Sequence, residues 1–194
     1  MAPTMTMAAG HLTPARKAAM VLAGTGVLAL AAQVTVPFYP VPMTLQTLAV
    51  LSIGLAFGSR LGALTVLAWY GEALMGLPVL AGFNNAAAFV GPTAGFLAGF
   101  VAMAWLAGRA VERGITGPVK LSLVTLALSA MIYLPGLAWP AGLAAATGIE
   151  AGWAGLSMPA IVSAFALPFL LSDAVKAVLA ALLYRGIANR FARR

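Results

Sequence analysis

The chain has 194 residues, of which 62% are hydrophobic and 8% charged, with a mean hydropathy of +1.01 and no cysteine. A soluble domain of this length does not carry so little charge, so composition points to a polytopic helical membrane protein. The missing cysteines exclude a disulfide framework, a Cys-based metal site and thiol chemistry. The net charge of +7 bears on membrane orientation rather than on nucleic acid.

Hydropathy predicts an all-α, six-transmembrane-helix bundle. It forms one domain over 18–186, between an N-terminal tail (1–17) and a basic tail (187–194). The spans are Ala18–Val34, Thr44–Phe57, Leu61–Leu77, Thr93–Val111, Val119–Leu137 and Ile161–Tyr184. Near the first, Ala15, Ala19 and Ala23 recur every four residues on one face. Small residues at that spacing let another helix approach closely, either within the bundle or from a partner. Arg16-Lys17, an apolar run and Ala29-Leu30-Ala31 also imitate a cleavable signal peptide. Cleavage would leave five spans and split the cationic segments between the two sides, so the first span is retained.

The connection VPFYPVPMTLQT from Val36 to Thr47 is stiffened by Pro37, Pro40 and Pro42. The second span is short, and Thr44, Gln46 and Thr47 make its first turn polar, as an aqueous cavity at that end would require. Turn residues follow at Gly58–Arg60 and again at Gly114–Pro118. Between them, Leu77 to Phe96 contains Asn84, Asn85 and Gly91-Pro92-Thr93. A proline in the first helical turn leaves neighbouring N–H groups free for a polar ligand, although Asn, Gly and Pro are equally ordinary loop residues.

The cations set the orientation. Arg16, Lys17, Arg60, Arg109, Arg113, Lys120, Arg185, Arg190, Arg193 and Arg194 all fall on one side if the six spans alternate. That side is cytoplasmic, with both termini. The outer connections carry Glu150 as their only charge.

The remaining cation, Lys176, lies with Asp173 inside the last span, PFLLSDAVKAVLAALLY. Residues three apart share a helical face. Ionisable groups at membrane depth cost several kcal/mol unless paired, and they mark either a substrate pathway or a bond between helices. Measured from Arg185 at ~1.5 Å per residue, Asp173 lies about 18 Å and Lys176 about 13 Å into a core ~30 Å thick. Glu72, about 18 Å from Arg60 by the same rule, reads as a rim residue reaching for water.

Four segments, VPFYPVPMTLQTLAV, GLPVLAGF, GPTAGFLAGF and PFLLSDAVKAVLAAL, resemble in order and spacing the BioY family of biotin-binding membrane proteins. The resemblance covers about Ala18 to Leu183. It implies a substrate-binding S-component of an energy-coupling-factor transporter, multi-pass in the cytoplasmic (inner) membrane. Such a subunit captures biotin from outside, and a transmembrane coupling protein with paired ATPases supplies the energy. No cofactor is implied, and a homo-oligomer is compatible with it. The family's usual GPTGGY is GPTAGF here, with Ala94 and Phe96 in place of Gly and Tyr. Any hydrogen bond drawn from that tyrosine is therefore absent.

Biotin presents a ureido ring with two N–H donors and one carbonyl, apolar surfaces and a carboxylate. Asp173 can accept a ureido N–H, while Lys176 can donate to the ureido oxygen and neutralise Asp173. The family's asparagine in the loop before Gly91-Pro92-Thr93 is matched by Asn84 or Asn85, and Thr93 is a further candidate contact. Tyr39, Thr44 and Gln46 are neutral donors for a carboxylate held near the outside. A flipped pose, with the carboxylate on Lys176, is the alternative. The resemblance also implies that the Ala15, Ala19 and Ala23 face docks the coupling protein.

The chain lacks G-x-x-x-x-G-K-[ST] and so cannot hydrolyse ATP itself. A stand-alone ion-coupled vitamin transporter would use Asp173 or Glu72 as its proton site, but no inverted repeat is visible. A membrane enzyme would need a nucleophile-base or metal set. The single histidine, His11, precedes the first span, and the four acids are scattered.

Overall fold

A computed structural model describes residues 13–192; residues 1–12, with His11, and Arg193 and Arg194 lie outside the described residues. Helix α1 (Pro14–Gln33) starts where the sequence allows it. Thr13 accepts the Arg16 N–H at 3.4 Å, and Pro14 takes the first position, where its missing N–H is not needed. The helix thus begins four residues before the predicted span.

The proline-stiffened connection folds back on itself. Thr35–Val36 (β1) pairs antiparallel with Met43–Thr44 (β2), Thr35 opposite Thr44, a two-residue ladder that the all-α prediction lacked. Helix α2 (Gln46–Leu74) then contains the second and third predicted spans. It breaks at Gly58, whose φ of 82° and ψ of 175° suit glycine. In a continuous helix Gly54 and Gly62 would be about 12 Å apart. Instead, a Cβ built on Gly62 would come within 2.9 Å of the Gly54 Cα. The arms 46–57 and 59–74 are therefore the two sides of a hairpin. Five helical stretches among the described residues are long and apolar enough to cross a membrane, with α2 counted once. Counting its arms separately gives six helical segments, although at about 18 and 24 Å each arm is shorter than the ~30 Å hydrocarbon core.

Helix α3 (Ala94–Glu112) packs against the α2 hairpin through glycine: no side chain would fit at Gly54 beside the Ala104 carbonyl, nor at Gly108 beside Ser59. The fifth predicted span is longer than expected. It runs through α4 (Pro118–Met131), α5 (Tyr133–Ala138), a wide turn at Trp139–Leu143 and α6 (Ala144–Ala146). The sixth is split into α7 (Met158–Phe165) and α8 (Leu167–Ala192) at Ala166. Pro168 explains the break, because it has no N–H to donate backwards and crowds the preceding turn. Thr125 of α4 donates to the Ala177 carbonyl of α8 at 2.8 Å, tying those helices mid-length.

The two ends of the bundle differ. Ser59 meets Glu112, and Arg185 donates to the Thr116 carbonyl at 3.0 Å, so the cation-bearing turns gather at one end. At the other end Gln33 clasps the loop after α2 with both halves of its amide. Nε2 donates to the Leu80 carbonyl and Oε1 accepts the Phe83 N–H, each at 3.0 Å. Trp69 donates to the Val79 carbonyl and Trp139 to that of Gly91 at the same end.

Candidate functional site

Below that second end lies a cavity of about 50 Å³ whose floor is Asp173 and Lys176. Both are buried, at 7% and 6% exposure. Their i,i+3 spacing on α8 brings Lys176 Nζ to 3.0 Å from Asp173 Oδ1. Thr47, in the first turn of α2, donates to the same oxygen at 3.1 Å. The Tyr133 hydroxyl, at the start of α5, donates to Asp173 Oδ2 at 2.7 Å. Thus the carboxylate accepts three hydrogen bonds from α2, α5 and α8. The pair does join helices, as one sequence reading proposed, but it does so while bordering a cavity.

The walls are aromatic and aliphatic, with Phe96, Leu97, Phe100, Ile132 and Phe169 among them. Phe96 stands edge-on to Tyr133, ring centres 5.7 Å apart, and its ring occupies the space where Gly136 has no side chain. The hydroxyl that Phe96 lacks is present on its neighbour Tyr133.

A second cavity of about 230 Å³ lies towards the loops, lined by Pro40, Leu80, Asn84, Ala88, Gly91 and Pro92 among others. Both cavities border Pro42, Gln46, Thr93 and Leu97. Thr44 lines the inner one and, two residues before α2 starts, accepts the Gln46 N–H at 3.1 Å and donates to Gln46 Oε1 at 2.9 Å. Thr93 precedes the first residue of α3 and makes no side-chain capping bond. Pro92 falls just outside the helix rather than in its first turn.

Of the predicted site residues, Asp173, Lys176, Thr44, Gln46 and Thr93 come together at the inner cavity, and Asn84 lies on the outer one. Asn85 lines neither. Its side chain accepts from Ala87 and donates to the Gly76 carbonyl, holding the loop in shape. Tyr39 lines neither and is 84% exposed, because the turn between β1 and β2 carries it out of the pocket. Glu72 borders none of these cavities. In the sequence Thr47 stands out only as part of a polar first turn, and Tyr133 only as one more residue of the fifth span. Its signal was a phenol hydroxyl inside an apolar span, which needs a partner when buried. Ala15, Ala19 and Ala23 are exposed along α1. Among the described residues no group of three His, Cys, Asp or Glu could hold a metal.

A helical bundle with an apolar pocket, a few convergent polar groups and a buried ion pair on its floor defines an integral membrane protein that binds a small molecule. The BioY family model matches residues 4–193. The chain belongs to that family.

It is 39% identical over 157 residues to the biotin transporter BioY of Rhodobacter capsulatus, covering 78% of this chain and 80% of that one. To its namesake in Rhizobium etli it is 36% identical, covering 82% and 84% of the two chains. The fold matches the crystal structure of an S-component for biotin from an ECF-type ABC transporter, with a TM-score of 0.72 and 25% identity. That match covers 92% of this chain and 95% of the other.

Proposed function

We propose that this protein is the biotin-capturing S-component of an energy-coupling-factor transporter, multi-pass in the cytoplasmic membrane and open to the outer side. One observation carries the reading: a neutralised Asp173–Lys176 pair at the floor of an otherwise apolar cavity. A ureido ring needs that combination of acceptor and donor. Lys176 has three N–H donors and spends one on Asp173, which leaves others for the ureido oxygen.

The ring occupies the inner cavity and the carboxylate tail the outer one, beside Gln46, Asn84 and Thr93. A carboxylate placed at the floor would meet Asp173, so charge favours this pose over the flipped one. The inner cavity is far below the size of a ligand pocket. Loading therefore requires the aromatic walls to move apart.

Energy comes from partners, a transmembrane coupling protein with ATPases. The exposed Ala15, Ala19 and Ala23 face supports docking over packing within the bundle. Ala23 also borders an apolar hollow of about 280 Å³ between α1, α2 and α8. Equilibrium dialysis of the purified protein against biotin tests the reading. Saturable binding is expected, and its absence would refute the proposal.

A further inference from the structure

Asp173 accepts hydrogen bonds from three side chains on three helices. Lys176 Nζ and Thr47 Oγ1 both donate to Oδ1, at 3.0 and 3.1 Å, while Tyr133 alone donates to Oδ2, at 2.7 Å. Each carboxylate oxygen has two lone pairs, so Oδ1 is filled and Oδ2 keeps one acceptor position. A carboxylate turns easily about its last side-chain bond, since that torsion is broad. Here donors from two other helices, one on each oxygen, oppose such a turn. Tyr133 and Thr47 both border the cavity that Asp173 floors.

We infer that Tyr133 and Thr47 are positioning residues for ligand recognition, holding the Asp173 carboxylate in one plane so that it offers a single acceptor, on Oδ2, to one N–H of the ligand. This rests on the biotin reading, which supplies the ureido N–H. Neither residue needs to touch the ligand for the effect. If Tyr133 is lost, Oδ2 gains a second open lone pair and the carboxylate can rotate, so the bound ligand meets an acceptor that is no longer fixed. The same argument holds for Thr47 on the other oxygen.

The test is a double-mutant cycle in biotin affinity, read by isothermal titration on purified protein. Tyr133→Phe keeps the ring against Phe96 and removes only the hydroxyl. It is expected to weaken biotin about tenfold, the size of one lost hydrogen bond to a charged group. On an Asp173→Ala background, titrated at raised biotin concentration, the same change is expected to cost less than a factor of about two. Thr47→Val should behave as Tyr133→Phe does, while Thr47→Ser, which retains the hydroxyl, should bind as wild type.

Equal losses from Tyr133→Phe in both backgrounds would mean that Tyr133 shapes the wall independently of Asp173, and the inference fails. It fails also if Tyr133→Phe binds as wild type. Where a Tyr133 or Asp173 variant does not purify or binds below detection, Thr47→Val against Thr47→Ser decides, because equal affinity in those two overturns the positioning role. A wild-type protein that does not bind biotin removes the biotin reading itself. Wild-type binding with indifferent variants removes only the inference.

Discussion

Glu112 fastens Ser59 from the last turn of α3: its carboxylate accepts the Ser59 N–H at 2.8 Å and the Ser59 hydroxyl at 2.9 Å, while Arg109 donates to it at 3.2 Å. Ser59 opens the second arm of α2 directly after Gly58, so an acid fifty-three residues away does the work of a helix N-cap. Glu112→Ala should lower stability by about 1–2 kcal/mol, the usual cost of losing a cap. Thermal unfolding in detergent should show a lower midpoint. Biotin affinity should stay within about twofold of wild type, because this contact belongs to the opposite end of the bundle from the cavity mouth. An unchanged midpoint would mean that glycine packing alone holds the turn.

At the floor, Asp173→Asn and Lys176→Ala should each weaken biotin by about 1.5 kcal/mol or more, tenfold and up. Removing the lysine also strands a buried carboxylate that Thr47 and Tyr133 only partly satisfy. Glu150→Gln, in an outer loop, is the control and should bind normally. Folded site variants that retain wild-type affinity would reduce the pair to a bond between helices.

Pose separates by ligand. With the ring at the floor, biotin amide should compete nearly as well as biotin, because its changed end faces the outer cavity and neutral groups. Desthiobiotin keeps the ureido group and should bind in either orientation. A competition series that ranks the amide far below biotin would place the carboxylate on Lys176 instead.

Docking should be separable from binding. Ala19 is exposed on α1 and lines neither of the two polar-mouthed cavities. Ala19→Trp should leave biotin affinity unchanged yet reduce ATP-driven uptake in cells that supply the coupling protein and ATPases, since an indole blocks close helix approach. The variant should also purify without the coupling protein. Retention of both uptake and co-purification would rule out that face.

The span pattern is readable in the sequence because long, predominantly apolar runs alternate with turns and loops, and all cations but Lys176 lie outside those runs or at their ends. Even the Gly58 hairpin was visible, as Gly-Ser-Arg between two such runs. What lay hidden depended on contacts between distant segments. The two-residue ladder at Thr35 and Thr44 follows from how the proline-rich connection turns back, which hydropathy does not record. Tyr133 reads as one more apolar residue of span five until the fold brings its hydroxyl to an acid forty residues later. Tyr39 lies away from both cavities for the opposite reason: its residue type suits a polar ligand, and only the direction of a tight turn sends it to solvent. Asn84 and Asn85 are adjacent and chemically identical, so composition could not distinguish the one that borders the outer cavity from the one that braces the loop.

Gln33 bonds the 80–83 loop through both its donor and its acceptor, and that loop supplies Leu80 and Ala81 to the outer cavity. The roof of the pocket therefore hangs from the outer tip of α1 by a two-point hinge. Trp69 holds the same loop from α2 through the Val79 carbonyl, so both helices anchor it. Ala19 lies fourteen residues down α1 from Gln33, about 21 Å along a stiff rod. One helix thus carries both the proposed docking face and the loop that borders the outer cavity, so the two surfaces share a single rigid element.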